Sequence, residues 1–329
     1  MNNEERTNFW NALLKAKKLE DARNLFSTIK YPKYVYRYRA AEGTSITDIG
    51  KNKLNFSTSN YYDDLFDTYI YKNLDLVKAV ATALKTGNIP EELLFDDELR
   101  LLATMAKGRD LTKETENVIS YLIDFRNRMR KNTWSICFCE RYDNENLWMK
   151  YANGHKGFVL EYDVQQLIKG VIEVDKDNNS TFCDNCESNV FSSDIWPVYY
   201  TKERYDATFY AGFCAVCKLL EQCGQIGLVQ QMVSRGLFMW HAERVILAKK
   251  WTHHFDEEWR LLLNSKYRIE NGCRPFKRVK PSRVILGFKL SDEQQQQVLF
   301  QAKNAGIRCC HKMIINDADD FVVEERNLL

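Results

Sequence analysis

Three short groups of residues, far apart in the chain, have types that can act on a phosphorylated glycoside. Arg37 and Arg39 stand two apart in YVYRYRA (Tyr34 to Ala40), Ser57-Thr58-Ser59 closes LNFSTS, and Asp256-Glu257-Glu258 leads into Trp259-Arg260. Arginine presents planar, bidentate donors to phosphate oxygens. Serine hydroxyls hydrogen-bond a ribose, and a preorganised carboxylate stabilises positive charge developing at a sugar carbon. These are the functions that cleavage of the glycosidic bond of NAD requires, because nicotinamide leaves through an oxocarbenium-like state. On this reading an arginine holds the pyrophosphate, Ser57 or Ser59 the nicotinamide ribose, and Glu258 the ribose 2′-hydroxyl. Each group also has a plainer explanation: strand arginines are usually solvated, and carboxylates beside Arg260 usually form exposed ion pairs of little energetic weight.

Cysteine gives the sharpest spacing signal. Cys183 and Cys186, then Cys214 and Cys217, form two CxxC pairs that can offer four thiolates to one tetrahedral zinc. The first pair lies in a polar Asp/Asn/Ser-rich stretch, as a zinc knuckle does. The second lies in the apolar helical pattern TFYAGFCAVCKLLEQC, where cysteine is commonly a small buried hydrophobe, and the intervening segment is longer than in zinc ribbons. A structural zinc and packed thiols are therefore the two readings. The other cysteines show no comparable spacing and no histidine partner for a nucleophilic role. His253-His254 lacks the HExxH spacing of a catalytic metal helix, and GxGxxG, P-loop and GxSxG patterns are absent, which removes the main support for dinucleotide-fold, phosphoryl-transfer and serine-hydrolase classes.

A third feature is basic. Lys266, Arg268, Arg274, Lys277, Arg278, Lys280 and Arg283 crowd a hairpin-like segment that contains Phe276 and only Glu270 as an acid. Cations for phosphates and a ring for base stacking suit single-stranded RNA or DNA. The alternative is a solvated turn balanced by the acidic tail from Asp317 to Glu325.

These groups need a scaffold, and the sequence describes one. The 329 residues are 45% hydrophobic and 13% aromatic with a net charge of +2, which excludes a disordered chain and a uniformly cationic polyanion clamp. No apolar run approaches membrane-spanning length, MNNEERTNFW has no signal-like apolar core, and a cytoplasmic location with reduced thiols is expected. Apolar residues at helical spacing predict an amphipathic helix over Asn8 to Lys30. Strands are expected at Tyr34 to Ala40, LNFSTS, Trp134 to Glu140, Gly157 to Asp163, Trp196 to Tyr200, EWRLLL, RVILGFKL, IRCCHKMII and Phe321 to Val323. Helices are expected at Ile46 to Asn52, Leu76 to Thr86, Glu91 to Lys107, Lys113 to Arg130, within Asp206 to Leu247, and at Asp292 to Ala305. This mixture reads as α+β. It divides into an N-terminal helix in residues 1–30 and one elaborated domain over 31–329, with helical insertions near 75–131 and 206–247.

The chain resembles the bacterial domain-of-unknown-function family 2971. The resemblance rests on Tyr36-Arg37-Tyr38-Arg39, Phe56-Ser57-Thr58-Ser59, Tyr62-Asp63-Asp64-Leu65-Phe66-Asp67, the block from Asn146 to Phe158 (NLWMKYANGHKGF), Val198-Tyr199-Tyr200, and Lys250 with Asp256-Glu257-Glu258-Trp259-Arg260. It covers Tyr34 to the C-terminus, and the middle block is its most specific part. Leu65 stands where the family has proline, Asp63 where it has asparagine, and Asp256 where it has the first glutamate of E-x-E. The order of Arg, Ser and Glu is in turn similar to the R-S-E arrangement of ADP-ribosyltransferases. That likeness implies a split-sheet α+β core and transfer of ADP-ribose from NAD to a macromolecular acceptor; the basic segment with Phe276 favours RNA or another nucleic acid over protein as that acceptor. It implies Arg39 (or Arg37) for phosphate and ribose, Ser57 and Ser59 for the nicotinamide ribose, Glu258 as catalytic carboxylate and Asp256 for orienting the acceptor, with Arg39 counted in the catalytic set. Tyr62, Trp148, Tyr151 and His155 would line the cleft. A toxin or phage-defence role with a neutralising antitoxin protein is a further implication. The alternatives are a non-catalytic nucleic-acid or protein-binding module organised by zinc, and an NAD glycohydrolase with water as acceptor.

Overall fold

The computed structural model describes residues 1–16, 24–25, 29–62, 64, 67–73, 75, 112–169, 172–176, 179–182, 193–222, 224, 226–227, 230, 241–263, 273–315, 321–324 and 328. The helices expected at Leu76 to Thr86 and Glu91 to Lys107 lie outside the described residues. Chain order is α1 (Asn3–Lys15), β1 (Tyr34–Ala40), α2 (Thr44–Gly50), β2 (Lys53–Asn55), β3 (Ser57–Thr58), β4 (Ile70–Tyr71), α3 (Thr112–Ile123), α4 (Phe125–Asn132), β5 (Trp134–Cys139), α5 (Glu145–Lys150), β6 (Gly157–Asp163), α6 (Val164–Lys169), β7 (Ile172–Lys176) and β8 (Asn179–Phe182). It continues with β9 (Ser193–Pro197), β10 (Tyr199–Thr201), β11 (Tyr205–Asp206), α7 (Thr208–Gln222), α8 (His241–Leu247), β12 (Ala248–Lys250), β13 (Glu258–Leu263), β14 (Cys273–Arg278), β15 (Arg283–Leu286), α9 (Asp292–Asn304), β16 (Cys310–Ile315) and β17 (Phe321–Glu324).

The fold is α+β. Its centre is a 9-stranded sheet in the order β17-β16-β15-β6-β1-β5-β13-β9, with β3 added on β5. All its pairs are antiparallel except β15 with β16, which α9 connects. A second sheet, β2-β14-β7-β8, stands apart. One face of the central sheet packs Val35, Phe138, Leu160, Trp259 and Val284 against α2, α6 and α9 through Ile49, Leu167 and Val298. The other packs Tyr36, Tyr38, Val159 and Ile285 against Leu147 and Trp148 of α5.

The sheet forks where the arginines lie. β1 pairs with β6 along its whole length, from Tyr34 opposite Asp163 to Ala40 opposite Gly157. Against β5 it keeps a single pair, Tyr36 opposite Cys139. The other end of β5 is taken by β3, with Ser57 opposite Ser135. Arg37 and Arg39 share a strand face with the core residue Val35. Beyond Val35 that face meets Ser45, Asp48 and Ile49 of α2 and the β2 strand around a small pocket, while both arginines also reach the cleft at the fork, which is how a strand with two inward arginines is accommodated.

Several element boundaries differ from expectation. α1 begins at Asn3, where Asn2 and Glu5 form a capping box, and ends at Lys15 with Ala16 extended, so no continuous helix runs from Asn8 to Lys30. The expected strand from Trp196 to Tyr200 is two strands: β9 pairs with β13, β10 pairs in parallel with β12, and Val198 between them donates its N–H to the Glu258 carbonyl. The helix over Lys113 to Arg130 breaks into α3 and α4 at Asp124. No described helix is long and apolar enough to cross a membrane.

Gly157 is the tight point of the arginine strand, since a Cβ there would lie 2.2 Å from the Arg39 carbonyl oxygen and 2.9 Å from Ala152 Cα. Both obstacles are backbone. Gly157→Ala is expected to destabilise the fold by about 1–3 kcal/mol, as overpacking does, measured by urea unfolding.

Candidate functional site

Arg260 is fully buried on β13, and a circuit of alternating charge is built around it. Its Nη1 and Nη2 donate to the two carboxylate oxygens of Asp67 at 3.0 and 2.5 Å, and its Nε donates to Glu258 Oε1 at 2.6 Å. The Ile246 carbonyl takes a further bond from Nη1 at 2.9 Å, and the Tyr62 ring lies 5.3 Å from the guanidinium. Lys249, the central residue of β12, donates to Glu258 Oε2 at 2.7 Å and to Asp256 Oδ2 at 2.8 Å. His253 stands between Asp256 and Asp64, with ring nitrogens 3.8 and 3.4 Å from their carboxylates. Asp64 and Asp67 belong to one turn, closed by the Asp67 N–H on the Asp64 carbonyl. Arg260 is therefore not the exposed, weakly coupled partner that its sequence context suggests.

The carboxylate turn that carries the site is held in an uncommon conformation. Trp251–Asp256 is a 3-10 turn, Glu257 follows in the left-handed region at φ 44°, and β13 begins at Glu258. This reversal aims Asp256 and Glu258 at the same lysine while Glu257 faces away, towards Arg141 at 3.9 Å. Such backbone costs on the order of 1–3 kcal/mol and persists only where its surroundings over-determine it. Burial works to raise the Glu258 carboxyl, but Arg260 and then Lys249 outweigh it and hold the group well below the usual carboxylate range. Burial likewise works against the Lys249 ammonium, and Glu258 and Asp256 reverse it, so the lysine stays charged.

The fork between β1 and β5 holds a cleft of about 220 Å³ over this circuit. It is lined by Arg37 and Arg39 from β1, Ser57 from β3, Tyr61 and Tyr62 from the turn after it, Cys137 and Cys139 from β5, Tyr151 after α5, and Lys249, Asp256 and Glu258. Neither β1 arginine forms an ion pair among the described residues. Arg39 donates to Ser45 Oγ at 2.9 Å, and the buried Nη1 of Arg37 has no hydrogen-bond partner. Burial, and then the neighbouring Arg37, push the Arg39 guanidinium down to about 10. Asp48 of α2 is the carboxylate beside them, in a small adjoining pocket. The two adjacent cations, one with an idle buried donor, form a wall opposite the anionic circuit.

The structure thus brings together Arg37, Arg39, Ser57, Tyr62, Tyr151, Asp256 and Glu258. It does not bring three other expected residues to the cleft. Ser59 is buried, donating to the Arg130 carbonyl at 3.4 Å while its own carbonyl accepts from Arg130 Nη2 at 2.8 Å, which ties the β3 turn to α4. Trp148 packs inside the sheet with Nε1 on the Tyr142 carbonyl at 2.8 Å. His155 stacks flat on that indole, with centroids 5.3 Å apart. Their block supports α5 and the β6 entry, not the cleft wall.

The basic segment is also not the surface its composition implies. Phe276 and Lys277 are buried on β14, the phenyl ring between the Lys53 and Arg278 cations and the Lys277 ammonium on the Ile168 carbonyl at 3.3 Å. Arg278, though exposed, is paired with Glu173, and Arg283 is paired with Glu161; Arg274 and Lys280 are also exposed, while Lys266 and Arg268 lie outside the described residues. A stacking platform on this strand is thereby excluded. Cys183 and Cys186 likewise lie outside the described residues. Cys214 and Cys217 sit on α7, Cys214 packed beside Tyr121 and Tyr210, and burial pushes their thiols up to about 11 and about 12. Among the described residues no three His, Cys, Asp or Glu side chains are grouped to hold a metal. Cys309, which has no histidine partner by sequence spacing, stands just ahead of β16 with its Sγ 3.1 Å from Nε2 of His311 on that strand.

Sequence reasoning missed Lys249, Asp67 and Tyr61 as site residues. Lys249 stands in VILAKKW beside another lysine, and nothing in that pattern marks it as buried. Asp67 was visible within the aspartate-rich stretch YDDLFD, where acids close together ahead of a later arginine are the usable signal. Comparison with protein-family models, curated proteins and solved structures gives no match.

Two outcomes follow from the circuit. Arg260→Met leaves Asp67 and Glu258 without their shared cation, and is expected to cost about 3–5 kcal/mol in urea unfolding. The ordinary Glu258 value of 4.5 is lowered in the folded chain, so its pairing contributes full stability above pH 4.5 and loses it as pH falls towards the folded value. Stability of the wild type should therefore decline below pH 4.5 with a component that is missing from Glu258→Gln, measured as unfolding midpoints across the acid range.

Proposed function

We propose that this chain is an NAD-dependent ADP-ribosyltransferase that uses a macromolecular acceptor, with the cleft in the β1–β5 fork as its active site. The observation that carries the reading is the convergence of Arg37, Arg39, Ser57 and Glu258, from strands distant in sequence, on one cavity at a fork in the sheet. The fork is also the feature expected of a split-sheet transferase core.

The chemistry follows from the two charged walls. Arg37 and Arg39 accept the pyrophosphate, the Arg37 Nη1 gaining the hydrogen bond it lacks. Ser57 meets the nicotinamide ribose. Glu258 accepts from the ribose 2′-hydroxyl: its two oxygens offer about four lone-pair sites and two are in use. The bond between C1′ and the nicotinamide nitrogen breaks with its electron pair going to nicotinamide, and the positive charge left on the ribose is stabilised by Glu258, which Arg260 and Lys249 keep anionic. A lone pair of the acceptor forms the new bond to C1′, and Asp256, at the mouth, orients that acceptor and takes its proton. The cavity is smaller than the about 300–1,000 Å³ that encloses a whole drug-sized ligand. It suits the nicotinamide-ribose end, with the adenosine end at its mouth. Exposed Tyr61 and Tyr151 are the rings beside that mouth that can stack a base, and a nucleic-acid acceptor would meet these, not β14.

Incubation with NAD labelled in the adenylate, together with total RNA or total protein, tests the reading. Wild type should transfer label to a macromolecule, and Glu258→Gln should lower the rate at least about 100-fold with the fold intact. Arg39→Ala should chiefly raise KM for NAD. Unchanged activity in Glu258→Gln sinks the proposed site, and NAD consumption that yields only free ADP-ribose makes water the acceptor.

A further inference from the structure

The helix α1 reaches the carboxylate turn directly. Arg6 is buried, donates from Nη1 to the Glu258 carbonyl at 2.8 Å and from Nη2 to Glu140 Oε2 at 2.8 Å, and lies 5.3 Å over the Trp259 ring. Glu140 also accepts from the Trp259 indole at 3.1 Å, and its backbone N–H donates to the Glu257 carbonyl at 3.2 Å. On the opposite side the Glu258 N–H donates to the Tyr200 hydroxyl at 2.8 Å. Arg6, Glu140 and Tyr200 therefore hold the peptide that follows the left-handed Glu257, through the Glu257 carbonyl and the Glu258 N–H, together with the Glu258 carbonyl. None of the three lines the cleft. The rest of α1 packs through Phe9, Trp10 and Leu13 onto Trp196, Val198 and Tyr200, the segment that carries this hydroxyl.

We propose that α1 is a working part of the site: Arg6 is a positioning residue that clasps the strained Asp256–Glu258 turn and so aims the Glu258 carboxylate, without contributing to ligand affinity. The activity half of this proposal rests on the transferase reading; the conformational half does not. A carbonyl bond from a buried guanidinium is charge-assisted and planar, and neither glutamine nor lysine can reproduce both of its contacts at once. Loss of the clasp lets Glu257 relax out of the left-handed region, which swings Glu258 relative to Lys249 and Arg260. The β1 arginines, on the other wall, are untouched.

The test compares Arg6→Gln and Arg6→Lys with Val298→Ala, a core truncation in α9 that lowers stability without touching the turn. Hydrogen exchange of a peptide covering Phe255 to Arg260 is the first readout. It should quicken about 10-fold or more in Arg6→Gln, less in Arg6→Lys, and not at all in Val298→Ala under native conditions. NAD turnover is the second: kcat should fall about 10-fold in Arg6→Gln with KM for NAD within about 2-fold of wild type, and Arg6→Lys should recover part of it. Unchanged exchange in Arg6→Gln overturns the clasp. Equal losses in kcat and affinity, or the same losses in Val298→Ala, reduce Arg6 to a residue that merely stabilises the fold. Faster exchange in a wild-type background that never consumes NAD keeps the clasp and dismisses the transferase.

Discussion

A guanidinium with no exposed surface, such as that of Arg260, can exist only where its donors and its charge are both answered. Here Asp67 answers two donors from a turn early in the chain, Glu258 a third from the same strand, and the Ile246 carbonyl the last polar contact. Each carboxylate then needs further compensation or solvent. Glu258 finds it in Lys249, which requires Asp256, which stands beside His253 and through it Asp64. One buried charge thus dictates the identity of most residues around the cleft floor. Replacing the whole set with hydrophobic residues could stabilise the fold equally well, so the network is better explained by what it presents than by stability.

What it presents is an anionic floor beneath a cationic wall. The wall exists because β1 leaves β5 after one pair, so residues that would face core in a continuous sheet face a cavity. The second strand that an open β5 edge demands is supplied by β3, and with it Ser57 arrives between the wall and the floor. The fork, the short β3 and the arginines are one feature seen from three strands.

Much of this was legible in the sequence, and the failures have physical causes. YVYRYRA and GFVLEYD gave their strands to the residue because period-2 patterning survives wherever both faces are committed. Arg37, Arg39, Ser57 and Glu258 stood out because charge or hydroxyl interrupted apolar strands. Ser59, Trp148 and His155 were misplaced because a buried structural partner and a ligand contact demand the same residue types. Ser59 found Arg130, and Trp148 found His155. Phe276 and Lys277 were misread because a charged strand pattern does not reveal that a neighbouring backbone carbonyl and two flanking cations bury it. Lys249 was missed for the converse reason: its role is set by Asp256 and Glu258 closing over it, and local pattern carries no trace of that.

The contacts that complete the cleft also span most of the chain. Asp67 and Arg260 are 193 residues apart, and Arg6 is 252 residues from the carbonyl it holds. During synthesis the N-terminal partners must wait, unpaired, until the strand carrying Arg260 leaves the ribosome, and such long-range closures are slow. A nascent or truncated chain that has β1 and its arginines therefore has no carboxylate floor. Assembly of the charge circuit is a late event that coincides with completion of the central sheet, so the finished cleft and the native fold arrive together.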